Sequence, residues 1–367
     1  MGLTAGIVGL PNVGKSTLFN AITKAGALAA NYPFATIDPN VGVVEVPDER
    51  LYKLTELVQP KKTVPTIFEF TDIAGIVKGA SRGEGLGNKF LSHIREVDAI
   101  IQVVRAFDDD NVTHIDGTIN PARDIETINL ELIFADLEVV EKRIPKILKK
   151  ATLKVDQAAV EEYKILKLIQ DTLMDNKPIR TIKFNENELD LIKNFNFLTL
   201  KTMLYVANIS EDDINDFDNN EYVKKIKEFA SKENSEVVVI SAKIEAELGE
   251  LTDDERDMFL EDLGIKESGL NKLIKRSYRL LGLETYFTAG PKEVRAWTFK
   301  KGMKAPQCAG IIHSDFEKGF IRAETITYDD YIKYNGEQGA KDAGKSRSEG
   351  KTYVVQDGDI LLFRFNV

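Results

Sequence analysis

The chain has 367 residues, 43% of them hydrophobic and 29% charged, which describes a globular protein with length enough for two or three ordinary cores. Its formal net charge of −10 excludes bulk attraction to nucleic acid, so any RNA contact must come from a local basic patch, and no DNA partner is indicated. A single cysteine, Cys308, excludes an internal disulfide and reads as a small core residue. With no signal-peptide pattern and no apolar stretch long enough for a bilayer, the expected setting is cytoplasmic, with no membrane partner.

Met1-Gly2 does not open a myristoylation signal, because Gly6 stands where that motif wants Ser or Thr. The apolar run Leu3–Val8 predicts a buried strand. It leads into Gly9-Leu10-Pro11-Asn12-Val13-Gly14-Lys15-Ser16, and a helical pattern begins at Thr17. This is a phosphate-binding loop in the strand–loop–helix setting that such a loop requires. Its glycines let backbone N–H groups turn inward to cradle phosphate oxygens at the positive end of the helix. Lys15 neutralises the β- and γ-phosphates and the Ser16 hydroxyl holds Mg²⁺. Asn12, inside the loop, could also ligate a monovalent cation such as K⁺ beside the phosphates.

Thr36, in Asn31-Tyr32-Pro33-Phe34-Ala35-Thr36, falls between the first helix and the second strand, where a switch threonine caps Mg²⁺ when γ-phosphate is present. Further strands are expected at Val43–Val46, Ile67–Thr71 and Ala99–Val104. The strand at 67–71 ends in Asp72-Ile73-Ala74-Gly75. Asp72 can hold Mg²⁺ through water, and the Gly75 N–H can approach a γ-phosphate. Ile76 follows where many signalling GTPases place a water-orienting Gln, and it cannot hydrogen-bond water. His114 is a candidate substitute, provided its loop folds over the site. Gly79, Gly83, Gly85 and Gly87 suggest a segment that reorganises when the γ-phosphate leaves.

Between Val104 and Met203 lies far more chain than one crossover helix needs. Ile133, Leu137, Val140, Ile144 and Ile147 form a coiled-coil seam, which Pro145 should kink or interrupt. A second helix is expected from Asp156 to about Met174, so the two form an antiparallel hairpin. Lys142, Arg143, Lys146, Lys149, Lys150 and Lys154 crowd its turn. They are either a solvated helix face or a contact for RNA.

Two later strands, Met203–Ala207 and Glu236–Ile240, complete a doubly wound α/β sheet. Each is followed by residues placed to read a base: Asn208-Ile209-Ser210-Glu211 after the first, Ser241-Ala242-Lys243 after the second. GTPases carry Asn-Lys-x-Asp at the first place, where the Asp accepts two hydrogen bonds from guanine. Ile209 and Glu211 break that pattern, and losing a matched bidentate acceptor weakens guanine selection. The motif therefore favours ATP, although Glu211 could be merely an acidic residue at a helix start. After Leu283 short strands are expected at Val294–Phe299, Ala309–His313, Gly319–Glu324 and Tyr353–Phe365. The glycine-rich, apolar-poor segment from Asn335 to Lys351 reads as a mobile loop.

With these residues assembled, the chain resembles the YchF/Obg-like ATPase family, within the Obg branch of translation-factor-class P-loop proteins. The carriers are Gly9–Ser16, Asn31–Asn40, Asp72–Gly87, Asn120-Pro121 with Asp124-Ile125, Asn208–Glu211, and the C-terminal Ala309–Phe316, Gly319–Ile321 and Asp357–Asp359. One departure is Ala35, where many relatives are expected to carry Cys. The resemblance implies an α/β fold: a P-loop NTPase domain with a mostly parallel sheet (1–125 and 200–282), an inserted antiparallel coiled-coil arm (126–199), and a β-grasp-like TGS domain (283–367). It implies slow ATP hydrolysis and association with ribosomes or RNA. Asn12, Val13, Gly14, Lys15, Ser16 and Thr17 would line the phosphates. Ser16 and Thr36 would hold Mg²⁺, Asn208 with the Ile209 backbone would contact adenine, and His114 would stand in for the missing Gln. Two other functions fit the same residues: a GTP-preferring switch, and a ribosome- or RNA-binding factor with nucleotide as a static ligand. A metabolic kinase does not, for want of a second substrate site or an acid positioned as a base.

Overall fold

The computed structural model describes residues 3–27, 40–73, 86–109, 118–154 and 156–366. In chain order the elements are β1 (Thr4–Gly9), α1 (Lys15–Ala27), β2 (Val41–Glu45), α2 (Glu49–Val58), β3 (Thr63–Val64), β4 (Ile67–Asp72), α3 (Leu86–Glu96), β5 (Ala99–Arg105), α4 (Pro121–Thr152), α5 (Gln157–Met174), α6 (Glu186–Ile192) and β6 (Thr202–Asn208). They continue as α7 (Glu221–Lys232), β7 (Glu236–Ile240), α8 (Ala242–Leu248), α9 (Asp253–Asp262), α10 (Gly269–Leu280), β8 (Leu283–Ala289), β9 (Val294–Lys300), α11 (Ala305–Ile312), α12 (Ser314–Lys318), β10 (Phe320–Thr327), α13 (Tyr328–Lys333), α14 (Glu337–Asp342), β11 (Arg347–Glu349) and β12 (Asp359–Phe365). The chain divides into two compact units, residues 1–44 with 69–273, and 45–68 with 274–367.

The first unit is built on a six-stranded sheet ordered β2-β4-β1-β5-β6-β7. β1 pairs in parallel with β4 and β5, β5 with β6, and β6 with β7. Parallel strands need crossovers that cover both faces, and so they read as unbroken apolar runs. All seven residues of β5 are buried, and six of the seven in β6. This is the doubly wound sheet that the sequence leads one to expect, with its strands within a residue or two of the expected places.

The inserted hairpin is α4 and α5. Asn120 caps α4 with Pro121 in its first turn, and Asp156 caps α5 by accepting from Ala158 and Ala159. Ile133, Val140 and Ile147 bury against Ile165, Leu166, Ile169 and Leu173, with Leu137 and Ile144 packed beside them. Contrary to expectation, Pro145 does not interrupt α4. Pro145 and Glu141 are both exposed, so water can satisfy the Glu141 carbonyl that proline leaves unbonded, while the seam holds on the opposite side.

The root of the hairpin is tied in by buried charge. The Asp136 carboxylate accepts from Leu198 N (2.9 Å), Thr199 N (2.8 Å) and Thr199 Oγ1 (2.7 Å). Arg180 meets Glu233 at 2.6 Å, and that carboxylate also accepts from Asn129 and from the Tyr205 hydroxyl. The segment expected as a separate insert, 126–199, accordingly lies within the first compact unit.

The second unit has a mixed sheet ordered β11-β10-β12-β8-β9-β3. Side chains alternate across it. Tyr286 and Leu361 join a core with α11, while their neighbours Phe287 and Ile360 join another with Leu51 and Leu54 of α2. Residues 45–68 thus belong here rather than to the nucleotide-binding part expected for 1–125. Three C-terminal expectations are corrected. Ala309–His313 is not a strand but lies mostly in α11. Residues 335–351 hold α14 and β11, and only Asp359–Phe365 of the expected last strand is regular. Cys308 is fully buried in the α11 core, and burial pushes its thiol up to about 12.

Candidate functional site

Parallel register gathers the expected site residues at one edge of the first sheet. Ile7 stands opposite Asp72, Gly9 opposite Val103, Arg105 opposite Asn208, and Asn208 opposite Ile240. These are carboxyl ends of strands, where open α/β sheets bind their ligands.

The loop from Gly9 to Ser16 leaves β1 and turns into α1. Asn12 (φ 62°) and Gly14 (φ 89°) take left-handed backbone conformations. At Gly14 any side chain would strain the backbone and would have to push the Asn208 amide aside, because a Cβ would lie 2.1 Å from Asn208 Nδ2. Leu18 N donates to Gly14 O at 3.0 Å, closing the first turn. The N–H groups of Lys15, Ser16 and Thr17 precede any intrahelical acceptor, which makes this helix end suited to an anion. Val13 is buried beneath the loop, while Asn12, Ser16 and Thr17 are exposed above it.

The Lys15 ammonium forms an ion pair with the Asp72 carboxylate, both of them only partly shielded from solvent. A phosphate-neutralising cation and a metal-facing anion therefore share one spot. The Ser16 hydroxyl and the Asp72 carboxylate are hard oxygen donors on α1 and β4, the two elements that the Lys15–Asp72 pair joins, a set that fits Mg²⁺. Among the described residues no group of three or more His, Cys, Asp or Glu side chains could hold a metal. A few protein oxygens are what Mg²⁺ needs when phosphates and water complete its shell.

The residues expected to read the base have partners within the protein. Asn208, 4% exposed, donates from Nδ2 to Val13 O at 2.9 Å and accepts at Oδ1 from Ala242 N at 2.9 Å. Its amide joins the phosphate loop to the start of α8, so both ends of the side chain expected on adenine hold protein. Ile209 is buried, and its N–H donates to Ile240 O. Ser241 caps α8 through its buried hydroxyl. Glu211 opens a short turn and pairs with Lys243 at 2.6 Å.

Thr36, Gly75, Ile76 and His114 lie outside the described residues, as do Ala35, Gly79, Gly83 and Gly85; Gly87 is in the first turn of α3. Sequence reasoning stopped the fourth strand at Val104 and so missed Arg105. That side chain is 1% exposed, lies over Phe107, and donates to Phe107 O (3.0 Å) and Asp109 O (3.2 Å). A charged residue ending a run of apolar ones was the available signal. At the hairpin turn, Lys142 pairs with Glu138 and Arg143 with Glu162, whereas Lys146, Lys149, Lys150 and Lys154 are exposed.

A family model described as "50S ribosome-binding GTPase" matches residues 4–142, and the YchF GTPase C-terminal family, described as "Protein of unknown function (DUF933)", matches residues 283–366. The chain is 68% identical to the "Ribosome-binding ATPase YchF" of Bacillus subtilis (strain 168) and 55% identical to that of Escherichia coli O157:H7, each over the full length of both chains. Among solved structures it is similar to the "Structure of the Schizosaccharomyces pombe YchF GTPase", at 43% identity and TM-score 0.89, covering 99% of this chain and 97% of that one.

Proposed function

The chain belongs to the YchF family, a branch of the translation-factor GTPase class distinct from Obg itself, and from that premise we propose an ATP-binding, slowly hydrolysing, Mg²⁺-dependent switch that works at the ribosome. The family is one of P-loop nucleoside triphosphatases. The observation that carries the reading is the Lys15–Asp72 pair at the sheet edge, with Ser16 next to Lys15 at the end of a phosphate loop held by Asn208.

In this reading Asn12 to Thr17 line the phosphates, and the Lys15 ammonium neutralises them. Mg²⁺, when bound, supplies further neutralisation of phosphate charge; Ser16 and Thr36 would hold it directly and Asp72 through water. The Gly75 N–H would meet the γ-phosphate, His114 would orient the attacking water, and K⁺ beside Asn12 is a candidate second cation. Adenine rather than guanine is the base. The bacterial relatives are named ATPases and the fission-yeast structure a GTPase, so the choice rests on this chain's Ile209 and Glu211. The partner follows from the bacterial relatives' name, and the exposed lysines of the hairpin turn suit ribosomal RNA. Residues 283–367 act as the TGS-type domain of the switch, in the cytoplasm.

The test is turnover of Lys15→Ala. Loss of phosphate neutralisation should lower hydrolysis by about 10²-fold, from a parent rate on the order of 10⁻⁴ to 10⁻² s⁻¹. Turnover equal to the parent's would end the proposal. Competition of ATP against GTP for the parent decides the base.

A further inference from the structure

Glu211 is a carboxylate where a guanine-reading acid would stand, and so the base choice depends on what holds it. One methylene of extra length does not by itself prevent a carboxylate from meeting guanine's N1–H and amino group. In this structure Lys243 Nζ donates to Glu211 Oε1 at 2.6 Å. The two residues come from the two base-reading loops, three residues after Asn208 and one after Ala242, and Asn208 joins those loops by its bond to Ala242 N. Glu211 is the strongest influence holding the Lys243 ammonium in its charged form, with weaker help from Glu247 and Asp212.

We propose that Lys243 is a specificity-determining residue, which sets adenine over guanine by occupying and neutralising the Glu211 carboxylate. The inference rests on the nucleotide-binding reading and names the device within it. Two effects act in the same direction. Guanine's paired donors use both carboxylate oxygens, and the one already accepting from Lys243 is a weaker acceptor for a second donor. Adenine presents its N1 lone pair on the same edge, which a bare carboxylate repels and a lysine-neutralised one does not. Both partners are partly exposed, Lys243 at 66% and Glu211 at 39% of the side chain, so solvent screens the pair. The expected effect is therefore modest, at most about fivefold in the ATP-to-GTP affinity ratio.

The experiment measures dissociation constants of both nucleotides for the full chain with Mg²⁺, in the parent, Lys243→Ala, Lys243→Arg, and the double variant Lys243→Ala/Glu211→Gln. Lys243→Ala should lower the ATP-to-GTP ratio by about three- to fivefold. Lys243→Arg should preserve it, and the double variant should return it towards the parent. Raising salt should shift the parent's ratio in the same direction as Lys243→Ala and leave the double variant's ratio unmoved. A ratio in Lys243→Ala within twofold of the parent overturns the inference while leaving the nucleotide reading intact. A Lys243→Ala effect that persists undiminished in the Glu211→Gln background also overturns it, because the lysine would then act without the carboxylate. A parent that binds neither nucleotide overturns the underlying reading.

Discussion

The root and the turn of the α4–α5 hairpin use the same kinds of charged residue in opposite ways. At the root Arg180 and Glu233 are 6% and 7% exposed, and Asp136 is 1% exposed. Each is enclosed by partners on other elements: Asn129 and Tyr205 around Glu233, Leu198 and Thr199 around Asp136. At the turn Lys142 is 70% exposed and its partner Glu138 58%, one helical turn away on the same helix. A desolvated charge must have its partners or the fold loses several kcal/mol, whereas a hydrated one is nearly indifferent. Charges at the root fix the hairpin, and those at the turn stay available for an external surface.

The strongest way to break this contrast is Glu233→Ala, which leaves Arg180 buried without its carboxylate. It should lower unfolding free energy by about 3–5 kcal/mol, read from denaturant midpoints. A loss under 1 kcal/mol would mean that the root charges are no more committed than those of the turn. Next is Asp136→Ala, which strands the Leu198 and Thr199 N–H groups and should cost about 2–4 kcal/mol.

Asp136 also offers a sharper test by pH. Burial pushes its carboxyl up to about 6, from 3.8 in an unfolded chain, against the pull of its hydrogen bonds. The folded state holds that proton more tightly. Its contribution is fully present below about pH 4 and is lost as pH rises through 6. The parent's stability should therefore contain a component that falls between pH 4 and 6 and is missing from Asp136→Ala, seen by comparing midpoints of both proteins across that window. Smallest is the turn itself. Arg143→Ala should cost about 1 kcal/mol or less, and Lys149→Ala less than about 0.5 kcal/mol, by the same measurement.

The phosphate loop was legible in the sequence because local covalent geometry dictates it. A glycine at position 14 answers a left-handed backbone, and Lys-Ser opens the helix that follows. The hairpin was legible because its seam repeats. The fate of residues 45–68 was not, since Leu51 and Leu54 meet Phe287 and Ile326 through contacts more than two hundred positions away. At 309–313 a short apolar run fits strand or helix equally, and only burial of Cys308 and Ala309 with Phe320 and Phe363 decides it. Between 335 and 351 the glycines misled. Gly336 (φ 106°) and Gly344 (φ 69°) bracket α14 as punctuation rather than loosening a loop. In the site, the expected roles of Asn208 and Glu211 were read from what a nucleotide offers. The protein partners Val13, Ala242 and Lys243, each distant in sequence from the residue it engages, could not be read that way.

The contact between Gly14 and the Asn208 amide constrains which residues this site can hold. A side chain at position 14 must displace the amide, and with it the bond that the amide makes to Val13 O. Bare backbone at one position and an amide at the other are thus two halves of one joint, although 194 positions separate them.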